Sequence, residues 1–454
     1  MSVFYTAQKT IKNYTNGGNV LMMATALALI IVNIPGCTDF YNSLWVNEIE
    51  LRVGNFNLFS HHGEPMSVMA FINDALMAIF FFTVGLEIKR EVLVGELSSF
   101  RQALLPILAA VGGMIVPVAL FYWFAAGTDY MRGAAIPMAT DIAFSLGVLA
   151  MLGKRVPVGL KVFLTTLAVV DDIGGILVIA IFYSTSIDWM MMLYAAGGIL
   201  MLISGGMLGM QSKLYYALIG IGVWFCFLNA GIHPTIAGVI VAFTVPAKPV
   251  FAPKKYIKAI RKNISHFAHD DDESLNSRTI LDHDQMNWLK EIETASDKVI
   301  SPLQDMEDTL HPLVNYLIVP LFAFANAGIY FHDMQASMLV SGISLAIMVS
   351  LVVGKFSGIF LFSWGTIKLG LAPMPEGANW ARLASVAVLG GIGFTVSLFI
   401  ANLSFGDVDP MHSILLNESK LGILVGSFLA GFLGWLFLNL TLPKKKDVPA
   451  EPEE

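Results

Sequence analysis

The chain has 454 residues, of which 56% are hydrophobic and only 13% are charged. Soluble proteins carry about 25% charged residues, so this composition and a mean hydropathy of +0.69 argue against an ordinary soluble protein. The formal net charge of −7 provides no basic footprint for nucleic acid. The two cysteines, Cys37 and Cys226, predict no disulfide framework. The composition therefore predicts an all-α polytopic membrane protein with a single transmembrane domain over residues 1–454.

Twelve apolar segments are candidates for membrane spans, which need about 20 apolar residues to cross the hydrocarbon layer. They cover residues 17–35, 65–86, 103–126, 134–152, 158–183, 189–210, 214–230, 234–245, 312–330, 338–364, 383–403 and 421–440. An even number of spans places both termini on one side. On this assignment the opposite side holds only Arg52, Arg132 and Lys420, and Lys355 lies inside a span. The positive-inside rule then predicts that both termini are cytoplasmic.

Two features precede the third span. From Leu51 to Leu58 the residues roughly alternate around Gly54-Asn55, which favours a small external hairpin, with an ordered loop as the alternative. The second span ends in four charged residues that are predicted to lie at its cytoplasmic mouth: Glu87, Lys89, Arg90 and Glu91. Asp74 lies deeper in this span and is predicted to line an entry funnel. The alternative for the mouth residues is an ordinary helix end.

The fourth span contains Ala139-Thr140-Asp141 just after Pro137, which predicts an interrupted helix. Unwound backbone in a membrane is tolerated where it lines a cavity, and its carbonyl groups can bind Na+. The alternative is that Asp141 caps a half-helix that starts after Thr140. The two interpretations are compatible.

The fifth span carries the most informative pair, Asp171 and Asp172, with about a dozen mostly apolar residues on either side. At about 1.5 Å per residue, both carboxylates would lie near the middle of the hydrocarbon layer. A charge at that depth is costly unless it is paired, hydrated or protonated. The pair is therefore predicted to bind a cation, protons or both, and a purely structural pair is the alternative.

A long polar region, residues 247–311, is predicted to form an extended cytoplasmic loop, and residues 443–454 a polar cytoplasmic tail. The loop begins with a basic run that is predicted to contact anionic lipid headgroups. It passes through an acidic cluster at 269–273, interpreted as solvated loop rather than a metal site. It ends in a stretch over 288–299 whose apolar residues are spaced for one helix face.

Two further polar features lie in the last spans. Lys355 lies near mid-membrane in the tenth span and is predicted to pair with Asp171, to titrate, or to hold the ends of broken helices together. In the eleventh span, Gly390, Gly391 and Gly393 weaken the helix and predict a second interruption. Close helix packing through small residues is the alternative for these glycines.

Seven stretches of the sequence resemble the NhaA-type sodium/proton antiporters. They are INDALMAIFFFTVGLEIKRE (72–91), ATDIAFSLGVLAMLGKRVP (139–157), LTTLAVVDDIGGILVIAIFY (164–183), GIHPTIAGVIV (231–241), HPLVNYLIVPLFAFANAGI (311–329), GK (354–355) and GGIGFTVSLFIANLSFGDVDP (390–410). The resemblance implies twelve transmembrane helices with inverted-topology repeats in spans three to five and ten to twelve, and broken helices at spans four and eleven. It also implies a protein of the bacterial inner membrane, and a homodimer formed through the external hairpin.

The resemblance also implies roles for individual residues. Asp171, Asp172 and Lys355 would exchange ions and protons, and Asp172, Asp171 and Thr140 would bind Na+. Asp141 and Lys355 would balance the half-helix dipoles. The family's pH-responsive residues map onto Glu87, Arg90, Glu91, His233 and Glu307. Near Glu307 the chain departs from the family pattern at Gln304, Asp305 and Asp308, which affects the expected pH set-point but not the transport chemistry.

The activity implied by the resemblance is electrogenic exchange of cytoplasmic Na+ or Li+ for external H+, activated at alkaline pH. It needs no cofactor and no catalytic residue in the enzymatic sense. The mechanism is competition, because a desolvated carboxylate favours its protonated form and a nearby cation favours its ionised form. An intramembrane aspartyl protease is disfavoured by the absence of a GxGD motif. A symporter of an organic solute would need a larger polar pocket, and a channel would need repeated carbonyl motifs.

Overall fold

The computed structural model describes residues 17–54, 56–61, 63–184, 187–248, 253–267, 283–332, 338, 342–406 and 409–443. These residues form sixteen helices and five short strands. Three of the helices, α3, α12 and α13 below, contain a π-helical segment. The helices are α1 Gly17–Asn33, α2 Thr38–Val46, α3 Val68–Val94, α4 Phe100–Ala125, α5 Ile142–Leu152, α6 Val158–Phe182, α7 Trp189–Met207, α8 Lys213–Ala230, α9 Thr235–Thr244, α10 Pro253–Phe267, α11 His283–Val299, α12 Pro302–Asn326, α13 Gly342–Lys368, α14 Trp380–Leu389, α15 Phe394–Phe405 and α16 Pro410–Thr441. A 3-10 segment, Asp129–Met138, precedes α5.

Eight of these helices are long and apolar enough to cross a membrane: α3, α4, α6, α7, α8, α12, α13 and α16. Three bent pairs raise the number of candidate spans to as many as 11 within the described residues. The pairs are α1 with α2, the 3-10 segment with α5, and α14 with α15. The short apolar helix α9 corresponds to the eighth predicted segment. The architecture is that of an all-α polytopic membrane protein.

Two of the predicted spans begin too late. α12 begins at Pro302 rather than at residue 312, and α16 begins at Pro410 rather than at residue 421. In each case the first turns are polar, which lowers hydropathy without breaking the helix. Both starts carry a side-chain cap followed by proline at the first helical position: Ser301 accepts from Gln304 N at 3.3 Å, and Asp409 accepts from Met411 N at 2.9 Å.

Two consequences for charged residues follow from these bounds. The second predicted span, 65–86, extends as α3 to Val94, so Glu87, Arg90 and Glu91 lie within a continuous helix and not beyond its end. Lys420, which the sequence places between spans on the external side, lies inside α16 and is only 8% exposed.

The predicted hairpin around Gly54 is confirmed. β2 (Arg52–Val53) pairs antiparallel with β3 (Phe56–Asn57), and the backbone of Gly54 has a φ of +64°, a conformation that favours glycine. Asn55, the other turn residue, lies outside the described residues. The remaining strands are β1 (Glu48–Ile49), β4 (Ser60–His61) and β5 (Glu64–Ser67), which form a sheet in the order β1-β5-β4.

Small residues bring the helices that carry the candidate site close together. Gly112 of α4 faces Gly358 of α13, and a Cβ added at Gly358 would collide with the Gly112 backbone. A Cβ at Gly354 would lie 2.8 Å from the Cα of Pro117. Such contacts let helix backbones approach closely in a membrane. As a result, the part of α13 around Lys355 packs closely against α4.

The region 247–311 contains two helices, α10 and α11, followed by the first turns of α12. The helix predicted over 288–299 is confirmed as part of α11. The acidic cluster at 269–273 lies outside the described residues, as does the tail beyond residue 443.

Candidate functional site

The helical backbone stops at two places that lie against each other. The 3-10 segment and α5 are bent by 43° across residues 139–141, and α14 and α15 are bent by 42° across residues 390–393. Asp141 N donates to Ile392 O at 2.6 Å, and Ser397 Oγ donates to Ile136 O at 2.7 Å. Both stretches are the ones in which the sequence predicts interruptions. One of these bonds joins two backbone groups and the other uses a side chain, so backbone groups left unpaired at one interruption find partners in the other segment.

Asp141 caps two helices at once. Its Oδ1 accepts from Phe144 N at 2.9 Å at the start of α5. Its Oδ2 accepts from Thr395 N at 3.0 Å and from Thr395 Oγ1 at 2.6 Å at the start of α15. Helix N-termini carry partial positive charge, so one carboxylate between two of them is favourably placed. The capping interpretation of Asp141 is confirmed.

We call the place where residues 139–141 and 390–393 lie against each other the crossing. Lys355 lies beside Thr140, where the 3-10 segment and α14 end. It is the first residue after a π-helical turn, Ser350–Gly354, and it is fully buried. Its Nζ donates to Asp171 Oδ2 and, at 2.9 Å, to Thr140 Oγ1. The predicted pairing with Asp171 is confirmed. A cation near two helix C-termini is favourable for the same reason that a carboxylate is favourable at their N-termini.

The Thr140 hydroxyl joins this pair to the second interruption. Thr140 Oγ1 lies 2.6 Å from Asp171 Oδ2 and 2.8 Å from Gly390 O, and both of these atoms are acceptors. The hydroxyl has one hydrogen, so it satisfies one acceptor at a time. Asp171 Oδ2 also accepts from Lys355, so when Thr140 donates to Asp171, the Gly390 carbonyl is the acceptor left to face a cation.

Asp172 differs sharply from its neighbour in its partners. Its side chain is 4% exposed, and within the part of the chain that the structure describes no donor bonds to it. The Oδ1 atoms of Asp171 and Asp172 are both buried without a hydrogen-bond partner. An unpaired buried carboxylate oxygen costs several kcal/mol unless a cation or a proton satisfies it.

The charge balance of the crossing is acidic. The carboxyl groups of Asp141, Asp171 and Asp172 are buried there. Among the described residues, the buried cation that bonds to one of them is Lys355, through Asp171. Among the described residues, no group of three or more His, Cys, Asp or Glu side chains could hold a metal ion. Two carboxylates, a hydroxyl and a carbonyl are hard oxygen ligands that suit a weakly held alkali cation better than a resident transition metal.

Four of the five residues predicted to respond to pH come together on α3 and α12. Arg90 Nη1 lies 2.6 Å from Glu307 Oε1, and Arg90 Nη2 lies 3.0 Å from Glu91 Oε1. Glu87 lies one turn before Arg90 and Glu91 on the same helix. We call Glu87, Arg90, Glu91 and Glu307 the α3–α12 charge cluster.

His233 does not belong to this cluster. Its Nε2 lies 3.5 Å from Asp74 Oδ1, and its Nδ1 lies 2.8 Å from Thr235 Oγ1. Asp74 is near the start of α3, close to strand β5, and about 20 Å along the helix from Glu87 at 1.5 Å per residue. Asp74 therefore lies towards the other end of α3 from the cluster, and its place in an entry funnel stays a prediction.

Several residues of the site have no individual signal in the sequence. The Gly390 carbonyl and Thr395 take part through contacts with a distant segment. Ser427 Oγ of α16 accepts from Phe394 N at 3.1 Å and so supports the start of α15. Lys89, predicted with the mouth residues, donates instead to the carbonyls of Phe243, at 2.7 Å, and Val245, and so caps α9. The GIGFT motif indicates that this segment belongs to the site, but it does not indicate which residues bond to it.

Comparison with known proteins agrees with these observations. The profile of the family described as Na+/H+ antiporter 1 matches residues 8–438. The Na(+)/H(+) antiporter NhaA of Phocaeicola vulgatus is 52% identical over 445 residues, which cover 98% of each chain. The protein of the same name from Bacteroides thetaiotaomicron is 49% identical over 445 residues, covering 97% of this chain and 99% of that one. The one from Porphyromonas gingivalis is 46% identical over 427 residues, 94% of each chain.

These relatives and the apolar helices make the chain a multi-pass bacterial membrane protein, and its relatives are transporters rather than enzymes. The resemblance found in the sequence motifs is confirmed over nearly the full length. The chain belongs to the Na+/H+ antiporter 1 family.

Proposed function

We propose that this protein exchanges cytoplasmic Na+ or Li+ for external H+ at Asp171 and Asp172. The observation that carries the proposal is the pair of buried, unpartnered Oδ1 atoms on these adjacent carboxylates. They lie where the two interrupted segments cross, beside a Thr140 hydroxyl and a Gly390 carbonyl. Asp172 is the more available ligand, since Asp171 is also held by Lys355 and Thr140.

The mechanism is competition at a shared site. Protons neutralise the carboxylates when no cation is present, and a bound cation favours their ionised forms. The two carboxylates lie next to each other, so they titrate as one coupled group. If the site faces one side at a time, protons moving inward drive Na+ outward. More than one proton for each Na+ would make the exchange electrogenic, and the acidic excess around Lys355 supports this.

Two buried charges stabilise the crossing in this proposal. Asp141 compensates the N-termini of α5 and α15, and Lys355 compensates the ends of the 3-10 segment and α14. Lys355 also competes with Na+ for Asp171, because the ammonium and the metal ion favour the same carboxylate oxygen. Release of the Lys355 contact would therefore accompany Na+ binding.

For the whole chain we propose twelve spans in one transporter domain. The eight long helices, α1, α9 and the two bent pairs at the crossing supply that number. In this arrangement α10 and α11 form the cytoplasmic loop, both termini are cytoplasmic, and the protein lies in the inner membrane. The basic residues of the predicted loops support this orientation.

Activation at alkaline pH has two proposed sources. Competition at the carboxylates raises Na+ binding as protons become scarce. The α3–α12 charge cluster adds a response of its own, because Arg90 is shared between Glu307 and Glu91. Protonation of either glutamate would release Arg90 and loosen the contact between α3 and α12. His233, paired with Asp74 elsewhere, would respond separately.

We also propose a homodimer through the β2–β3 hairpin. The hairpin places Leu51, 51% exposed, on the surface of the protomer. Removal of residues 51–58 is expected to convert the purified dimer into a monomer, measured by light scattering in detergent. An unchanged mass would place the dimer interface elsewhere.

The test of transport is a pH-gradient dequenching assay in everted membrane vesicles. Na+ or Li+ is added across neutral to alkaline pH, with K+ in parallel and no organic solute present. The proposal predicts that Na+ and Li+ collapse the proton gradient, and more readily at alkaline pH. A gradient that responds only when an organic solute is added would support a symporter instead. Na+ flux that ignores the proton gradient would support a channel.

A further inference from the structure

Helices α10 and α11 form an antiparallel hairpin with a constant register. The Lys298 ammonium lies over the ring of Tyr256, 5.5 Å from the ring centroid. Asn263 Nδ2 donates to Glu291 Oε2 at 2.9 Å, and His266 stacks on Trp288 with their ring centroids 5.2 Å apart. From one of these contacts to the next, the residue number on α10 rises by as much as the residue number on α11 falls. The hairpin is therefore a defined unit with an inner and an outer face.

The base of this hairpin is fixed at the ends of two spans. Leu303 N, in the first turn of α12, donates to Pro246 O, just after α9, at 3.2 Å. Lys89 of α3 holds the carbonyls of Phe243 and Val245 beside this joint. The α10–α11 hairpin thus leaves the transporter at the end of α9 and returns at the start of α12, the helix that carries Glu307. In the proposed arrangement of spans, this position is next to the membrane surface.

The outer face of α10 combines basic and apolar side chains. Lys258, Arg261 and Lys262 are exposed, and none has an ion-pair partner among the described residues. Ile257 and Ile264 are 41% and 53% exposed and lie two turns apart on the same side of the helix. The α10 sequence contains no acidic residue, whereas Asp284, Glu291 and Glu293 lie on α11. A helix with basic residues beside exposed large apolar ones is typical of helices that lie in the membrane interface.

We propose that the outer face of α10 docks on the anionic lipid headgroups of the membrane in which the transporter is embedded. Lys258, Arg261 and Lys262 would contact the headgroups, and Ile257 and Ile264 would enter the boundary with the acyl chains. The acidic residues of α11 favour this orientation, because they would be repelled by the same surface. The proposal concerns a surface away from the ion site, and its test does not depend on transport.

The test uses the full-length protein in vesicles of phosphatidylcholine with or without phosphatidylglycerol. An environment-sensitive fluorophore is attached through Ile264→Cys in a chain that also carries Cys37→Ser and Cys226→Ser. Docking predicts a blue-shifted emission in the vesicles that contain phosphatidylglycerol, and its reversal at high salt. In vesicles of phosphatidylcholine alone, the probe is expected to have the emission of a water-exposed fluorophore.

A matched pair of variants separates docking from a general effect of charge. Lys258→Gln on α10 is expected to lower the docked-to-undocked ratio by roughly fivefold, and removal of all three basic residues by roughly a hundredfold. Lys290→Gln removes one exposed lysine from α11 and is expected to leave the ratio unchanged. The proposal is overturned if the protein without charge substitutions has the same emission in vesicles with and without phosphatidylglycerol. Equal losses in Lys258→Gln and Lys290→Gln overturn it as well.

Discussion

Asp171 and Asp172 are neighbours in the chain, but their side chains have different hydrogen-bond partners. Asp171 shares Lys355 and Thr140, whereas Asp172 has a buried oxygen with no partner in the described part of the chain. Adjacent residues of a helix point about 100° apart, so the same local sequence can place one side chain in a network and the other outside it.

Asp172→Asn is expected to abolish Na+/H+ exchange without unfolding the protein, because it keeps the shape and removes the titrating charge. Asp171→Asn is expected to be nearly as severe. Exchange is measured by dequenching in everted vesicles, and folding by thermal denaturation in detergent. The control, Asp39→Asn, makes the same change at an exposed position of α2. Exchange at the unaltered rate in Asp172→Asn would remove this residue from the site.

Lys355→Ala is expected to lower thermal stability and exchange together. It leaves Asp171 without its buried cation, and breaking such a pair typically costs about 3–5 kcal/mol. Adding Asp171→Asn to Lys355→Ala removes the uncompensated charge, so the double variant should regain part of the lost stability. Melting temperatures of the four proteins in this cycle provide the measurement. Strictly additive losses would show that Lys355 does not act through Asp171.

Thr140→Ala is expected to raise the apparent Km for Na+ roughly tenfold, since one buried neutral hydrogen-bonding group is worth about 1–2 kcal/mol. The maximal rate should change less, because the hydroxyl carries no transported proton. Thr140→Ser keeps the hydroxyl and serves as the control, with a Km near the original. A lower rate at unchanged Km would assign Thr140 to the shape of the interrupted helix instead.

The interrupted segments are held by side chains of other segments. Asp141 lies between the N-termini of α5 and α15, and the Gly390 carbonyl at the end of α14 accepts from Thr140. Each interruption therefore satisfies the other, and neither segment would be stable alone in a hydrocarbon environment.

Asp141→Ala is expected to destabilise the protein by about 1–2 kcal/mol for each of the two caps that it removes. The same substitution at Asp188 removes a cap from the exposed start of α7, where Met190 N bonds Asp188 Oδ1 at 2.8 Å. Water replaces that cap, so Asp188→Ala should cost clearly less. Thermal denaturation of both variants tests the comparison. Equal losses would mean that the double cap is not the main role of Asp141.

The sequence predicted elements where the signal is local. Gly54-Asn55 between alternating residues indicated the hairpin, and the glycines from 390 to 393 indicated the second interruption. Hydropathy does not indicate the starts of α12 and α16, because it falls at their polar first turns. Their caps, Ser301-Pro302 and Asp409-Pro410, were a better signal than hydropathy.

Contacts between distant segments could not be predicted from local patterns. Nothing in the residues around Glu307 indicates that Arg90 is its partner, or that His233 lies beside Asp74 rather than in the same cluster. The Gly390 carbonyl is a backbone atom and leaves no trace in residue identity. These features depend on how helices far apart in the chain pack together.

The ion site and the α3–α12 charge cluster lie on packed helices, and among the described residues no hydrogen bond or ion pair joins them. Raising pH is expected to lower the apparent Km for Na+, because fewer protons then compete for Asp171 and Asp172. Glu307→Gln should shift the pH profile of exchange while leaving the Km at high pH intact. Glu293→Gln, an exposed glutamate on α11, is the control.

Measurement of Km at several pH values in these three proteins separates the two effects. A Km that does not move with pH in any of them contradicts competition at a shared site. A Km that falls with pH while Glu307→Gln leaves the profile unmoved would instead remove Glu307 from the pH response.

The joint between Pro246 and Leu303 has a practical consequence. Leu303 N and Pro246 O form a backbone hydrogen bond of 3.2 Å. The chain between them therefore leaves the transporter and returns to it at one position. A rigid soluble protein could be grafted there in place of α10 and α11 without stretching the neighbouring spans. Such a fusion would give a small transporter the added mass and asymmetric outline that particle alignment in electron cryomicroscopy requires.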